Sequence, residues 1–238
     1  MDLIAPLLSN PAEPRLTTYT DAGRMELSAV TLANWQSKVA NLLMSIGIGA
    51  GDEVAISATP GWQPAVIAIG CWRVGASIID AKLSSMPDSP PSTARVLFTD
   101  SVAFAEAFEA SEAGAQIEEV YVLSDDPFGR GVEECGGDIP FGMNDFSPEL
   151  RAQPDVFLGP EPQAESNDLP VLGNYAQQLN LNNGQRVLLE MWDGAEGLKK
   201  CLSPLSVQGS VVVTTDTTDE RLSQLADTEK AHVIPPIR

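Results

Sequence analysis

Between residues 32 and 46 the apolar positions Leu32, Trp35, Val39, Leu42, Leu43 and Ile46 fall three and four apart. That spacing puts them on one face of an α-helix and predicts that the face is buried. Ser28 or Thr31 can cap its start and Gly47 stops it, the hydroxyl accepting an orphan backbone N–H and the glycine letting the chain turn. Upstream, residues 16–19 and 24–27 flank Asp21-Ala22-Gly23, the spelling of a hairpin. Residues 62–74 differ: Ala65, Val66, Ile67, Ala68, Ile69, Cys71 and Trp72 leave hardly a polar position, and a helix apolar all round is buried on both sides.

One unit is written twice. Gly51-Asp52-Glu53-Val54-Ala55-Ile56 leads through the 62–74 helix to Gly75-Ala76-Ser77-Ile78-Ile79, and Gly184-Gln185-Arg186-Val187-Leu188-Leu189 leads through a second helix to Gly209-Ser210-Val211-Val212-Val213. A β-branched run, a helix, a glycine and another β-branched run spell a right-handed crossover between parallel strands. Further strands are predicted over 95–99, 119–123 and 232–234, and helices over 101–113, 171–179 and 220–229. The fold class is therefore α/β, with two similar lobes of mainly parallel sheet flanked by helices. Residues 1–123 form the first lobe with its N-terminal hairpin, 124–169 a connector and 170–238 the second lobe. A Ser- and Pro-rich loop follows Asp80 through Pro87, Pro90 and Pro91, and Pro235-Pro236 sits in the tail.

Charge sharpens the picture. The chain carries 33 acidic against 14 basic residues, a formal charge of −19, so nucleic acid and anionic membrane are poor partners. The 124–169 stretch holds no Lys and only Arg130 and Arg151 among many carboxylates. Its Pro, Gly and lost periodicity predict a solvated connector, partly wrapped on the surface. Those carboxylates lack the alternate-residue spacing of a calcium loop. Cys71, Cys135 and Cys201 form no CxxC pair, and His232 is the lone histidine, so no metal site is expected. Widely spaced, odd-numbered cysteines suit a reducing, cytoplasmic setting. With Asp2, Pro6 and no basic segment before an apolar run, a signal peptide is not expected, nor is a membrane span.

Gly47-x-Gly49-x-Gly51 has the look of a phosphate loop but the wrong order of elements. Phosphate loops run strand–glycines–helix, whereas these glycines follow a helix and precede a strand, where capping accounts for them.

Ser28, Leu32, Ala40, Leu43, Gly47, Gly51, Asp52, Val54, Ala55, Gly75 and Ala76 follow the order seen near the start of the adenylate-forming superfamily. There a strand pair and a helix ending in Gly precede "Gly-Asp-x-Val-Ala", a buried helix and "Gly-Ala". Residues 96–100 resemble that family's next strand, and residues 181–213 the stretch after its phosphate loop. The chain thus resembles a truncated N-terminal part of acyl-CoA synthetases and AMP-binding proteins, and a short actinobacterial family of such chains. The resemblance implies an acetyl-CoA synthetase-like N-terminal fold. It also exposes departures. Where the family has a Ser/Thr- and Gly-rich loop ending in Pro-Lys-Gly, this chain has its acidic connector. Tyr-Gly-x-Thr-Glu, the ribose-binding Thr-Gly-Asp and the lysine-bearing C-terminal domain have no counterpart, and Trp192-Asp193-Gly194 stands near the family's His-containing turn.

Adenylation requires cancelling charge on a triphosphate in the transition state. Without those groups the expectation is a non-catalytic binding or regulatory module with no cofactor, its partner a protein or a small neutral, cationic or acyl ligand. Two alternatives stand beside it: half of a split adenylate-forming enzyme, and an acyl or thioester hydrolase. The hydrolase needs a nucleophile near His232, and no Gly-x-Ser-x-Gly elbow occurs; a structural histidine is the plainer reading. In a doubly wound sheet ligands sit beyond the carboxyl ends of the strands, which makes Trp62, Asp80, Trp192 and Asp193 the cleft candidates. The competing expectation is that both indoles plug the seam between the lobes.

Overall fold

Strands β1 (Pro14–Thr20) and β2 (Gly23–Ser28) pair antiparallel across the predicted turn, and Ser28 accepts the backbone N–H of Thr31 to start helix α1 (Ala29–Ser45). The computed structural model describes residues 2–83 and 93–234. The loop prolines Pro87, Pro90 and Pro91 and the tail prolines Pro235 and Pro236 lie outside the described residues. After α1 the backbone N–H of Gly47 donates to the Met44 carbonyl at 3.1 Å and that of Ile48 to the Leu43 carbonyl at 2.9 Å. The first glycine of the Gly47–Gly51 run therefore closes a helix.

The first crossover unit is β3 (Glu53–Ser57), α2 (Trp62–Val74) and β4 (Ser77–Asp80). Then come β5 (Val96–Thr99), α3 (Val102–Glu109), β6 (Glu119–Val122), β7 (Asn144–Asp145), α4 (Phe146–Arg151) and α5 (Asp168–Gln178). The second unit is β8 (Arg186–Glu190), α6 (Gly194–Leu202) and β9 (Ser210–Thr214), followed by α7 (Asp219–Glu229) and β10 (His232–Val233). One sheet has the order β4-β3-β5-β6-β7 and is parallel throughout; the other has the order β10-β8-β9-β1-β2 and is parallel but for the hairpin. The hairpin is thus hydrogen-bonded to the second unit, with Leu16 opposite Val211 and Thr18 opposite Val213.

Strand alternation sets the layers. Val54, Val96 and Phe98 from one sheet and Val187, Leu189, Val211 and Val213 from the other share a central core with α1, α2 and α6. Their neighbours face outward: Ala55 and Leu97 pack with Phe108 of α3, and Leu188 and Val212 with Leu225 of α7. A side chain that alternates along a strand must find apolar company on both faces, and this five-layer α/β/α/β/α arrangement supplies it. The all-apolar α2 lies in the middle layer, where every one of its residues is buried. It crosses α1 so closely that a Cβ on Gly70 would overlap the Val39 side chain.

Residues 124–169 are more firmly attached than a solvated connector. Phe146 and Leu150 are buried in the central core, and Ser166 and Asp168 are buried too. The Arg73 guanidinium stacks 4.3 Å over Phe157 and bonds Glu161 at 2.6 and 2.9 Å, while Asn41 holds the Val156 carbonyl and the Leu158 N–H at 2.9 and 3.0 Å. Scattered anchors of this kind leave no periodic signature, so the sequence pattern of the segment resembles that of a linker.

Candidate functional site

The carboxyl ends of both sheets converge on one crevice, divided by the loop after β3. A cavity of about 390 Å³ is walled by residues at or just past the ends of five strands: Thr20 (β1), Ala58 (β3), Asp100 (β5), Ser124 (β6) and Thr215 (β9). A second cavity, about 330 Å³, lies against the ends of β3, β4 and β8 and is lined by Asp80, Trp192 and Asp193. Ala58, Pro60 and Pro64 border both.

The larger cavity is lined by both apolar and acidic side chains. Trp62, at the first turn of α2, lines it and packs its indole 5.3 Å from that of Trp35. The loop after β6 presses on the same ring, for a Cβ on Gly129 would lie 2.9 Å from Trp62 Cζ2. Asp21, Asp100, Asp125 and Asp126 line the cavity, and among the described residues no Lys, Arg or His does. Two of these carboxylates are already engaged. Asp100 accepts the Thr59 backbone N–H at 2.8 Å, and Asp126 accepts Arg130 Nε and Nη2 at 2.9 and 2.7 Å as well as the Phe128 N–H. Those bonds, first from the Arg130 side chain, hold the Asp126 carboxyl below the usual carboxylate range. Asp21 and Asp125 are exposed and hold no hydrogen bond or ion pair among the described residues.

In the second cavity Asp80 acts locally. Its Oδ1 accepts the backbone N–H of Ala195 at 2.6 Å, in the first turn of α6, and its Oδ2 lies 3.4 Å from Lys82 Nζ. A carboxylate suits the positive end of a helix, so the protein itself fills the place that an incoming anion would take. Asp193 is exposed beside it, and Trp192 is 7% exposed, with its backbone and Cβ against Gly197.

Of the four residues singled out from sequence, Asp80, Trp192 and Asp193 meet in one cavity, and Trp62 lies in the other. Trp62 is also 7% exposed, so each tryptophan is largely packed while lining a cavity. Sequence reasoning missed Asp21, Asp100, Asp125 and Gln63. A usable signal was present for two of them: Asp100 and Asp125 stand one and three residues past strands β5 and β6, where parallel sheets place ligand contacts. His232 is exposed on edge strand β10, and no hydrogen bond or ion pair joins its side chain to another described residue. Burial pushes the Cys71 thiol well up and that of Cys201 up to about 12, away from nucleophilic behaviour. Among the described residues no group of three or more His, Cys, Asp or Glu is placed to hold a metal ion, and no helix is long and apolar enough to cross a membrane.

No protein-family model matches the chain. Over 239 residues it is 34% identical to the TIGR03089 family protein of Mycobacterium tuberculosis (strain ATCC 25618 / H37Rv), covering 93% of this chain and 91% of that one. The chain belongs to the TIGR03089 family. Its fold is that of acyl-CoA synthetases. The crystal structure of Brucella canis acyl-CoA synthetase superposes with a TM-score of 0.72 at 16% identity, over 98% of this chain and 47% of that one. Apo and ATP-bound MatB from Rhodopseudomonas palustris superpose with TM-scores of 0.68 and 0.67, each at 15% identity over 95% of this chain and 47% of theirs. This TIGR03089 family chain therefore spans about half the length of the synthetases whose fold it shares.

Proposed function

We propose that this TIGR03089 family protein uses an acyl-CoA synthetase-like scaffold to bind rather than to adenylate, acting as a binding or regulatory module. One observation carries the reading: the larger cavity at the strand ends is lined by Asp21, Asp100, Asp125 and Asp126, and among the described residues no cationic side chain lines it. Phosphoryl chemistry runs on positive charge and backbone donors set around a polyanion. Here like charges meet the polyanion instead, and at an effective dielectric near 20 each close pair costs about 4 kcal/mol at 4 Å. The second cavity adds the same argument, because Asp80 already occupies the N-terminus of α6. The Lys-free 124–169 segment, which packs on α1 and α2, offers no replacement for a phosphate-gripping lysine.

Incubation with ATP, Mg²⁺ and a panel of carboxylic acids tests this. The expected result is no pyrophosphate above the protein-free background, and sustained release overturns the reading. Purification from a native host with mass spectrometry of co-eluting chains separates it from a split enzyme: recovery of a complementary adenylation fragment that restores pyrophosphate release would replace the binding module with half of an enzyme.

A further inference from the structure

We propose that the free edge of β2 pairs with that of a second copy of this chain, antiparallel and centred on Met25, so that two five-stranded sheets become one across a two-fold axis. β2 lies at the end of its sheet and, among the described residues, pairs with β1 alone. The ladder assigns its outward hydrogen-bonding groups. The Tyr19 carbonyl accepts the Thr215 N–H at 3.3 Å, so Tyr19 directs its backbone groups to β9. Arg24 stands opposite Tyr19, and Glu26 opposite Thr17. In an antiparallel pair such positions are the non-hydrogen-bonded ones, so the N–H and C=O of Arg24 and Glu26 point away from β1. An edge of this kind is a template for another strand. The pairing goes beyond the binding-module reading and is independent of what the cavities hold.

Charge chooses both the partner and the register. Arg24 and Glu26 lie two apart, hence on one face of the strand, and they form an ion pair with each other. Arg24 Nε also donates to Glu229 at 2.9 Å, and Glu26 accepts Thr17 Oγ1 at 3.1 Å. Those bonds fix both side chains at the edge, where they keep 41% and 29% of their surface exposed. A second copy whose Met25 faces this Met25 brings each Arg24 opposite the partner's Glu26, twice by symmetry. These are also the pairs that exchange backbone hydrogen bonds. Centring the junction on Arg24 would set arginine against arginine, and centring it on Glu26 glutamate against glutamate, and like charges directly opposed are unfavourable. The intermediate registers oppose an outward residue to an inward one and lose the hydrogen bonds. Two chains of net charge −19 repel each other in general, and an edge of alternating sign turns contact into attraction. A uniformly basic strand would meet Arg24 as well as Glu26, whereas a second copy in this register opposes neither to its like.

Sedimentation of the full chain from low micromolar to millimolar concentration tests the proposal, with amide exchange read at both ends of the range. The mass is expected to rise reversibly toward that of a dimer. Exchange at the Arg24 and Glu26 N–H groups should slow with it, while that at Met25, whose backbone groups face β1, stays the same. Arg24→Glu and Glu26→Arg are each expected to weaken association about tenfold or more, and an equimolar mixture of the two variants to restore it, because each edge then meets the opposite sign. Both substitutions touch the Glu229 cluster, so thermal melts show whether the variants fold. Met25→Cys in a Cys135→Ser background decides the matter if they do not, since Cys71 and Cys201 are buried. The non-hydrogen-bonded pair on the axis has Cα atoms about 4.5 Å apart, within disulfide reach. An oxidised dimer is expected there and none from Val156→Cys, which is exposed elsewhere. A monomer at every concentration overturns the proposal. So does a dimer that leaves the Arg24 and Glu26 amides unprotected, a strand of a different chain on this edge, or cross-linking as ready at Val156 as at Met25. Pyrophosphate release bears on the binding-module reading and leaves this inference untouched.

Discussion

Lys199 Nζ lies 2.8 Å from Asp168 Oδ1, with the two side chains 9% and 5% exposed. The other carboxylate oxygen of Asp168 accepts Trp72 Nε1 at 2.9 Å and the Ile78 backbone N–H at 2.8 Å. One buried carboxylate thus joins α2, β4, α5 and α6, and with them the two sheets. Burial alone would lower the Lys199 ammonium, but hydrogen bonds to Asp168 and Glu196 outweigh it and raise its pKa. Removing one member of such a pair strands the other. Asp168→Ala orphans Lys199, Trp72 Nε1 and the Ile78 N–H together and should destabilise by about 3–5 kcal/mol, whereas Lys199→Met leaves Asp168 two N–H donors and keeps an apolar side chain in place, so it should cost less. Urea midpoints at constant m check the order. A larger loss for Lys199→Met would show that the unpaired Asp168 carboxylate, not its orphaned donors, dominates the junction.

The α1–α2 crossing depends on an absent side chain. A Cβ at Gly70 would overlap Val39 and sit 3.3 Å from the Ala40 backbone nitrogen. Gly70→Ala should therefore destabilise by about 1–3 kcal/mol despite the better helix propensity of alanine. Val39→Ala in the same chain should recover part of that loss, a coupling that a double-mutant cycle measures. Additive effects would mean that the helices separate instead of repacking.

Acid should loosen the hairpin sheet. Glu229 is held at about 2: burial pushes its carboxyl up, but hydrogen bonds from Arg24, Tyr19 and Arg186 more than offset this. Arg24 Nε and Arg186 Nη2 lie 2.9 and 2.6 Å from its oxygens. A carboxyl lowered from 4.5 to about 2 stabilises fully above its unfolded value, and the contribution disappears as pH falls through the folded one. Thermal melts from pH 6 down to 2.5 should show a drop that shrinks in Glu229→Gln. An unchanged acid slope in that variant would assign the loss to other carboxylates.

Much of this fold is legible because its elements are strongly periodic. The α1 stripe, the all-apolar α2 and the two crossover units are local patterns, and they sit where the spacing puts them. The sheet that the hairpin joins was not legible: Leu16 meets Val211, and nothing local in β1 distinguishes one apolar parallel partner from another. The attachment of residues 124–169 was hidden for a different reason, since single anchors such as Phe146, Phe157 and Asp168 carry no period. At the site, Trp192 and Asp193 were legible as residues past a strand end, and Asp80 as the end of one. The separation of Trp62 from them was not, because it is set by the Pro60 and Pro64 wall between the cavities.

Asp80 should matter as a cap before it matters to any ligand. Its Oδ1 takes the Ala195 N–H at 2.6 Å, so Asp80→Ala should cost about 0.5–2 kcal/mol. Amide exchange at Ala195 should speed up with it. Unchanged exchange there would mean that Asp80 does not anchor the start of α6.

Nucleotide binding tests the central claim most directly, because it asks about the acidic crevice itself and not about a catalytic step. Equilibrium titration of Mg·ATP into the full chain should give no saturable heat or fluorescence change up to millimolar nucleotide, at low and at physiological salt. Saturable micromolar binding, weakened by blocking the cavity at Ala58, would place a triphosphate among Asp21, Asp100 and Asp125 and contradict the account.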